Sequence, residues 1–111
     1  MTPYTPPTQD QLLAIRVNAG IEELQQSERF AHAEPDLVEA IVEGVGQFAA
    51  GEFAPLNRVG DTEGAKLENG VVRLPDGFAE AYDAYVEQGW NAIASPEASG
   101  GQGLPFTLAC N

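Results

Sequence analysis

The sequence of 111 residues has few basic side chains: five Lys and Arg residues stand against seventeen Asp and Glu residues, a formal net charge of −12. The basic residues are scattered along the chain and form no cluster. They are Arg16, Arg29, Arg58, Lys66 and Arg73. Nucleic-acid binding uses clustered Lys and Arg to displace counterions from phosphates, so we expect no nucleic-acid partner. Anionic membrane surfaces are disfavoured for the same reason.

Cysteine and long apolar runs are also scarce. The single cysteine, Cys110, rules out an intrachain disulfide and fits a reducing compartment. No apolar run approaches the roughly 20 residues that a membrane-spanning helix needs. Residues 1–7 lack the basic start and apolar stretch of a secretory signal. We therefore expect a cytoplasmic protein without a membrane span, and the length and 43% hydrophobic content predict one globular domain.

Apolar residues at helical spacing predict the main elements. A Pro-rich arm over residues 1–8 precedes a short helix over 10–18, and residues 21–26 form either a second short helix or a turn. The clearest helix begins at Pro35, because proline is favoured in the first turn. Its apolar stripe recurs at steps of three and four residues. The stripe contains Leu37, Val38, Ile41, Val42, Val45, Phe48 and Ala49.

Proline, glycine and asparagine mark the later boundaries. We expect Pro55 to kink or end the long helix and residues 57–66 to form a loop. Asn69-Gly70 between β-prone residues predicts a hairpin that leans on helices, because both turn positions need a positive φ. A further helix is predicted over 77–88. The predicted class is mainly α, a small helical bundle with one short β-hairpin.

The end of the chain carries a loop over residues 95–103 and then the start of another helix, with Pro105 in its first turn. The sequence stops at Asn111, less than two turns later. We therefore expect the chain to be truncated.

Several residues carry chemistry in other contexts. His32-Ala33-Glu34 resembles half of a zinc deaminase motif, but the Pro-Cys-x-x-Cys half is absent, so His32 is predicted to be a surface residue. Asp61-Thr62-Glu63-Gly64 with Glu68 lacks the ligand and glycine spacing of a calcium loop. Cys110 has no neighbouring base and is predicted to be an inert thiol.

Two further groups of residues are predicted to have structural roles. Gly100-Gly101-Gln102-Gly103 lacks the Lys-Ser/Thr of a phosphate-binding loop and is predicted to be a turn. Tyr82, Tyr85 and Trp90 could form an aromatic wall for a ligand, but their helical spacing beside Phe78 predicts core positions. The residues alone therefore predict no catalytic, cofactor-binding or metal site.

A series of short strings, in this order and spacing, resembles the N-terminal region of the acyl-CoA dehydrogenase family, and most closely its larger bacterial subgroup with an N-terminal extension. The strings are Pro35 to Ile41, Ala54 to Arg58, Gly60-Asp61, Gly64-Ala65, Leu67 to Gly70, Gly77 to Tyr82, Gly89-Trp90 and Gly100 to Pro105. The resemblance implies an arm with short helices over residues 1–34 and part of the family's N-terminal helical domain over 35–111. It also implies that Gly100–Gly103 is the family's Gly-Gly-x-Gly turn.

The resemblance implies an enzyme that oxidises an acyl-CoA to a trans-2-enoyl-CoA, with a carboxylate base and FAD, assembled as a homo-oligomer. In the family, the base and most flavin contacts come from two later domains. No catalytic or flavin-binding residue is therefore carried over to this sequence, and we expect the chain alone to bind no FAD and to be inactive. The alternative is a non-catalytic helical interaction module.

Overall fold

Helices make up most of residues 3–110, which are the residues that the computed structural model describes. The α-helices are α1 (Thr8–Val17), α2 (Ile21–Gln25), α3 (Pro35–Phe48), α4 (Ala54–Thr62), α5 (Phe78–Glu87) and α6 (Phe106–Ala109). The strands β1 (Lys66–Glu68) and β2 (Val71–Arg73) form an antiparallel hairpin, and short 3-10 turns cover Glu28–Phe30, Trp90–Ala92 and Glu97–Ser99. The predicted class, mainly α with one hairpin, is confirmed. Residues 1 and 2 of the predicted arm, and residue 111, lie outside the described residues.

Most predicted helix boundaries are confirmed to within about two residues. The segment after Gly20 is a helix rather than a turn. The long helix begins at Pro35, where the Glu34 carbonyl accepts the first hydrogen bond from the Val38 N–H at 3.0 Å. Gly89 ends α5 in the left-handed conformation, at a φ of 81°, which glycine adopts without steric cost.

The prediction of a loop over residues 57–66 was wrong for residues 57–62, which are helical, and is confirmed for residues 63–65, which connect α4 to β1. Residues Ala49–Phe53 form one π-helical turn after α3, and the chain continues directly into α4. Pro55 lies in the first turn of α4, where its missing N–H removes no bond that the helix requires. Pro55 therefore accompanies the start of a new helix, and the helical path runs on to Thr62, whose hydroxyl donates to the Arg58 carbonyl at 2.9 Å.

One apolar core joins the two ends of the chain to α3. The buried face of α3 contributes Val38, Ile41 and Val42. The residues that pack with it are Ile15 of α1, Ile21 of α2, Ala33, Ile93, Leu104 and Leu108 of α6. Val42 is fully buried in this cluster, and α3 contributes three of its nine buried residues.

Two glycines let other groups approach α3 closely. A β-carbon on Gly44 would lie 2.8 Å from Cη2 of Trp90, and one on Gly46 would lie 2.9 Å from Cβ of Pro6. An indole ring and the N-terminal arm therefore pack against these two positions of α3.

The hairpin projects from the helices. Asn69 and Gly70 have φ values of 51° and 78°, as a two-residue turn of this kind requires, and Leu67 pairs with Val72. All six strand residues are exposed. The prediction of a hairpin is confirmed, but its predicted packing against helices is not, since neither of its faces is covered.

Candidate functional site: an aromatic groove between α4 and α5

The residues with reactive side chains do not come together. His32 is exposed, as predicted, and its Nε2 lies 3.2 Å from the Gln102 carbonyl oxygen. Cys110 is an exposed free thiol. Asp61 lies in the last turn of α4 instead of in a loop. Within residues 3–110, no group of three or more His, Cys, Asp or Glu side chains is placed to hold a metal ion.

The glycine-rich turn before α6 is held by backbone contacts. The Gly103 N–H donates to the Ser95 carbonyl at 2.9 Å, and the Gly101 N–H donates to the Pro96 carbonyl at 3.0 Å. A β-carbon on Gly101 would overlap the Ser95 carbonyl group. Glycine is therefore required here because backbone passes against backbone, which supports the structural role predicted for this turn.

A groove of about 790 Å³ lies between α4 and α5. We call it the α4–α5 groove. Aromatic and aliphatic side chains supply most of its surface. Its lining residues are Phe53, Leu56, Asn57, Gly60, Asp61, Leu74, Phe78, Ala79, Ala81 and Tyr82. Concave apolar surfaces with a few polar groups are the usual form of a binding site.

Two glycines hold the helices together at the base of the groove. A β-carbon on Gly60 of α4 would lie 2.8 Å from Cζ of Phe78, the first residue of α5. A β-carbon on Gly77, just before α5, would lie 2.9 Å from Cδ2 of Leu56. A glycine of α4 thus packs against the first side chain of α5, and the glycine just before α5 packs against a side chain of α4.

Aromatic rings connect the groove to the core. Phe48 at the end of α3 meets Phe53 edge-to-face, with ring centroids 5.0 Å apart. Phe53 lies 5.8 Å from Tyr85, and Tyr85 lies 6.4 Å from Tyr82. Edge-to-face and tilted pairs at these separations stabilise aromatic clusters. The π-helical turn carries Phe53, so this turn contributes an aromatic ring to the lining of the groove.

The prediction that Tyr82, Tyr85 and Trp90 lie in the core was wrong for Tyr82, which is 62% exposed. Tyr85 and Trp90 are half-buried. Ala81 is the buried residue of α5. The sequence analysis also missed Phe53, Leu56 and Leu74 as groove residues, because they come together only when α4 packs against α5.

The charged part of the groove is acidic. Asp61 is the charged residue in its lining, next to the amide of Asn57 one helical turn earlier. Asp83 follows Ala79 by four residues on α5 and so lies on the same side of that helix. No Lys or Arg lines the groove among residues 3–110.

No helix within residues 3–110 is both long enough and apolar enough to cross a membrane.

No family model matches the sequence. Over 102 residues, 92% of its length, the chain is 39% identical to 3-methylmercaptopropionyl-CoA dehydrogenase of Ruegeria pomeroyi. The chain is similar to a segment of an acyl-CoA dehydrogenase. This similarity confirms the resemblance that the short sequence strings indicated. The chain spans only 17% of the length of that dehydrogenase, so the alignment covers a small part of the relative.

Proposed function

We propose that the chain is part of an FAD-dependent acyl-CoA dehydrogenase, which oxidises an acyl-CoA thioester to a trans-2-enoyl-CoA. The observation that carries the proposal is the 39% identity to a dehydrogenase of this class over almost the whole chain. In this proposal, residues 35–111 belong to an N-terminal helical domain and residues 1–34 form an arm. The complete enzyme would be a cytoplasmic homo-oligomer.

The residues of the α4–α5 groove do not fit FAD. The cofactor carries a pyrophosphate, and the charged residue that lines the groove is Asp61, whose carboxylate repels phosphates. The whole chain has a net charge of −12, which also repels phosphates. We therefore assign this chain a scaffolding role and place the catalytic base and the flavin contacts in the remainder of the enzyme.

The reading frame after the codon for Asn111 tests this assignment. An open frame of several hundred codons supports it, and the complete product should be yellow and should oxidise an acyl-CoA in the presence of an artificial electron acceptor. A complete product that lacks both flavin absorbance and acyl-CoA oxidation would contradict the proposal.

The isolated chain provides a second test. We expect no flavin absorbance band after incubation with FAD and gel filtration, since a scaffolding segment holds no phosphate site. A stoichiometric band would place flavin contacts in this segment and would overturn the scaffolding role.

A non-catalytic interaction module is the second candidate. The α4–α5 groove favours it, because apolar side chains are left exposed in a concave surface.

A further inference from the structure

We propose that the α4–α5 groove is a docking site for a cationic amphipathic helix of another protein. The apolar face of that helix would fill the groove. Its Lys and Arg residues would meet Asp61, Asp83 and Glu87, which we call the acidic rim. The proposal goes beyond the proposed enzymatic function and does not rest on it, since it follows from the shape and charge of the groove alone.

Large apolar side chains are exposed around the α4–α5 groove. Phe53 is 41% exposed, Leu74 is 59% exposed and Tyr82 is 62% exposed, and all three line the groove. Aromatic residues at the centre of an interface supply much of the binding free energy. A helix that lies between two helices inserts side chains at three- and four-residue spacing, which suits a groove bounded by α4 and α5.

The charges beside the groove favour a positively charged partner. Asp61 lies in the groove, and Asp83 and Glu87 follow Ala79 along one side of α5 at four-residue steps. Asp83 and Glu87 are not among the residues that line the groove, and neither are the three basic residues of this region, Arg58, Lys66 and Arg73. From residue 49 to residue 87 the sequence contains eight acidic and three basic side chains. A partner with Lys and Arg beside its apolar face would be attracted to this rim.

The same charges disfavour a second copy of this chain. Each copy carries a net charge of −12, and docking groove to groove would bring the acidic rims together. Like charges facing each other across an interface are costly. The partner of opposite charge is therefore the occupant that the surface favours.

Two synthetic helical peptides test the proposal on the 111-residue chain. Both carry one leucine face at three- and four-residue spacing, and the other positions are Lys in one peptide and Glu in the other. We expect the Lys peptide to bind, with an affinity that falls as salt is added, and the Glu peptide not to bind. Isothermal titration calorimetry measures both.

Matched variants separate the groove from general attraction to an acidic protein. Tyr82→Lys should weaken binding of the Lys peptide about tenfold, as expected for an anchor worth about 1.4 kcal/mol. Phe106→Lys adds the same charge at a 75% exposed ring on α6 and should weaken binding less. The double variant Asp61→Asn and Asp83→Asn should weaken binding more than Glu22→Gln and Glu23→Gln, which removes two charges from α2.

Four results would overturn the proposal. The first is that neither peptide binds, and the second is that both peptides bind equally. The third is that the paired variants have equal effects, which would mean that the Lys peptide is attracted by net charge alone. The fourth is self-association in sedimentation that Tyr82→Lys abolishes while the Lys peptide does not bind, because the occupant would then be a second copy.

Discussion

The indole ring of Trp90 occupies the space beside Gly44 in the middle of α3. A β-carbon on Gly44 would lie 2.8 Å from Cη2 of that ring. Trp90 packs at the edge of the apolar core, and its Nε1 donates to Oε1 of Gln88 at 3.1 Å. A glycine inside a helix costs about 1 kcal/mol relative to alanine. The close approach of Trp90 explains why α3 contains a glycine at this position.

Gly44→Ala should therefore destabilise the protein. Overpacking costs about 1–3 kcal/mol, and the better helix propensity of alanine returns about 1 kcal/mol, so we expect a net loss of about 1 kcal/mol in the free energy of unfolding. Urea denaturation measures it. The control is Gly51→Ala in the π-helical turn, where a new β-carbon would meet no atom within 4 Å and should be neutral or stabilising. An equal gain in both variants would show that Trp90 moves aside without cost.

Gly101→Ala should cost more than Gly100→Ala. The first substitution drives a β-carbon into the Ser95 carbonyl and disrupts the hydrogen bond from the Gly103 N–H. The second has open space around it and costs only the left-handed backbone conformation, about 1–2 kcal/mol. Thermal unfolding followed by circular dichroism compares them. The order would be reversed if the backbone at Ser95 moved freely away from Gly101.

Phe48→Ala should destabilise the protein by about 3–5 kcal/mol, because it leaves a cavity between α3 and the aromatic cluster. Phe48 is buried and packs against Phe53, Tyr85 and Trp90. Phe106→Ala is the matched control, since this ring is 75% exposed and its loss should change stability by about 0.5 kcal/mol or less. Urea denaturation measures the free energy of unfolding of both variants. Similar losses in the two variants would mean that the aromatic cluster around Phe48 contributes little to stability.

Gly70→Ala should loosen the hairpin without unfolding the protein. The residue has a φ of 78°, where a side chain costs about 1–2 kcal/mol, and all six strand residues are exposed. We expect hydrogen exchange in β1 and β2 to accelerate about tenfold, while Tm changes little. A fall in Tm of several degrees would show that the hairpin unfolds together with the helices.

Local signals predicted a large part of this fold. The start at Pro35, the Asn69-Gly70 turn and the stop at Gly89 each depend on a few neighbouring residues, and all three are present as expected. The apolar stripe of α3 is also present, except that Leu37 is exposed. Helical periodicity and turn geometry depend on neighbouring residues, which the sequence displays directly. The similarity to acyl-CoA dehydrogenases was likewise visible in short strings, and the 39% identity confirms it.

Tertiary structure decided the features that depend on distant residues. The segment after Pro55 contains Asn57 and Gly60 and was therefore predicted to be a loop, yet both residues lie in the helix α4. Its glycine at position 60 packs on Phe78, and its Leu56 packs on Gly77. Packing between elements stabilises a helix that local propensity would not favour.

The sequence by itself thus determined the helical class, the hairpin turn and the acidic charge, because these depend on composition and on near neighbours. The α4–α5 groove was decided only by the tertiary structure. Its rings come from the π-helical turn and from α5, far apart in the sequence, and Tyr82 is exposed because no other described element covers that side of α5. Helical spacing shows which residues share a face of a helix, but only the packing of neighbouring elements decides whether that face is buried.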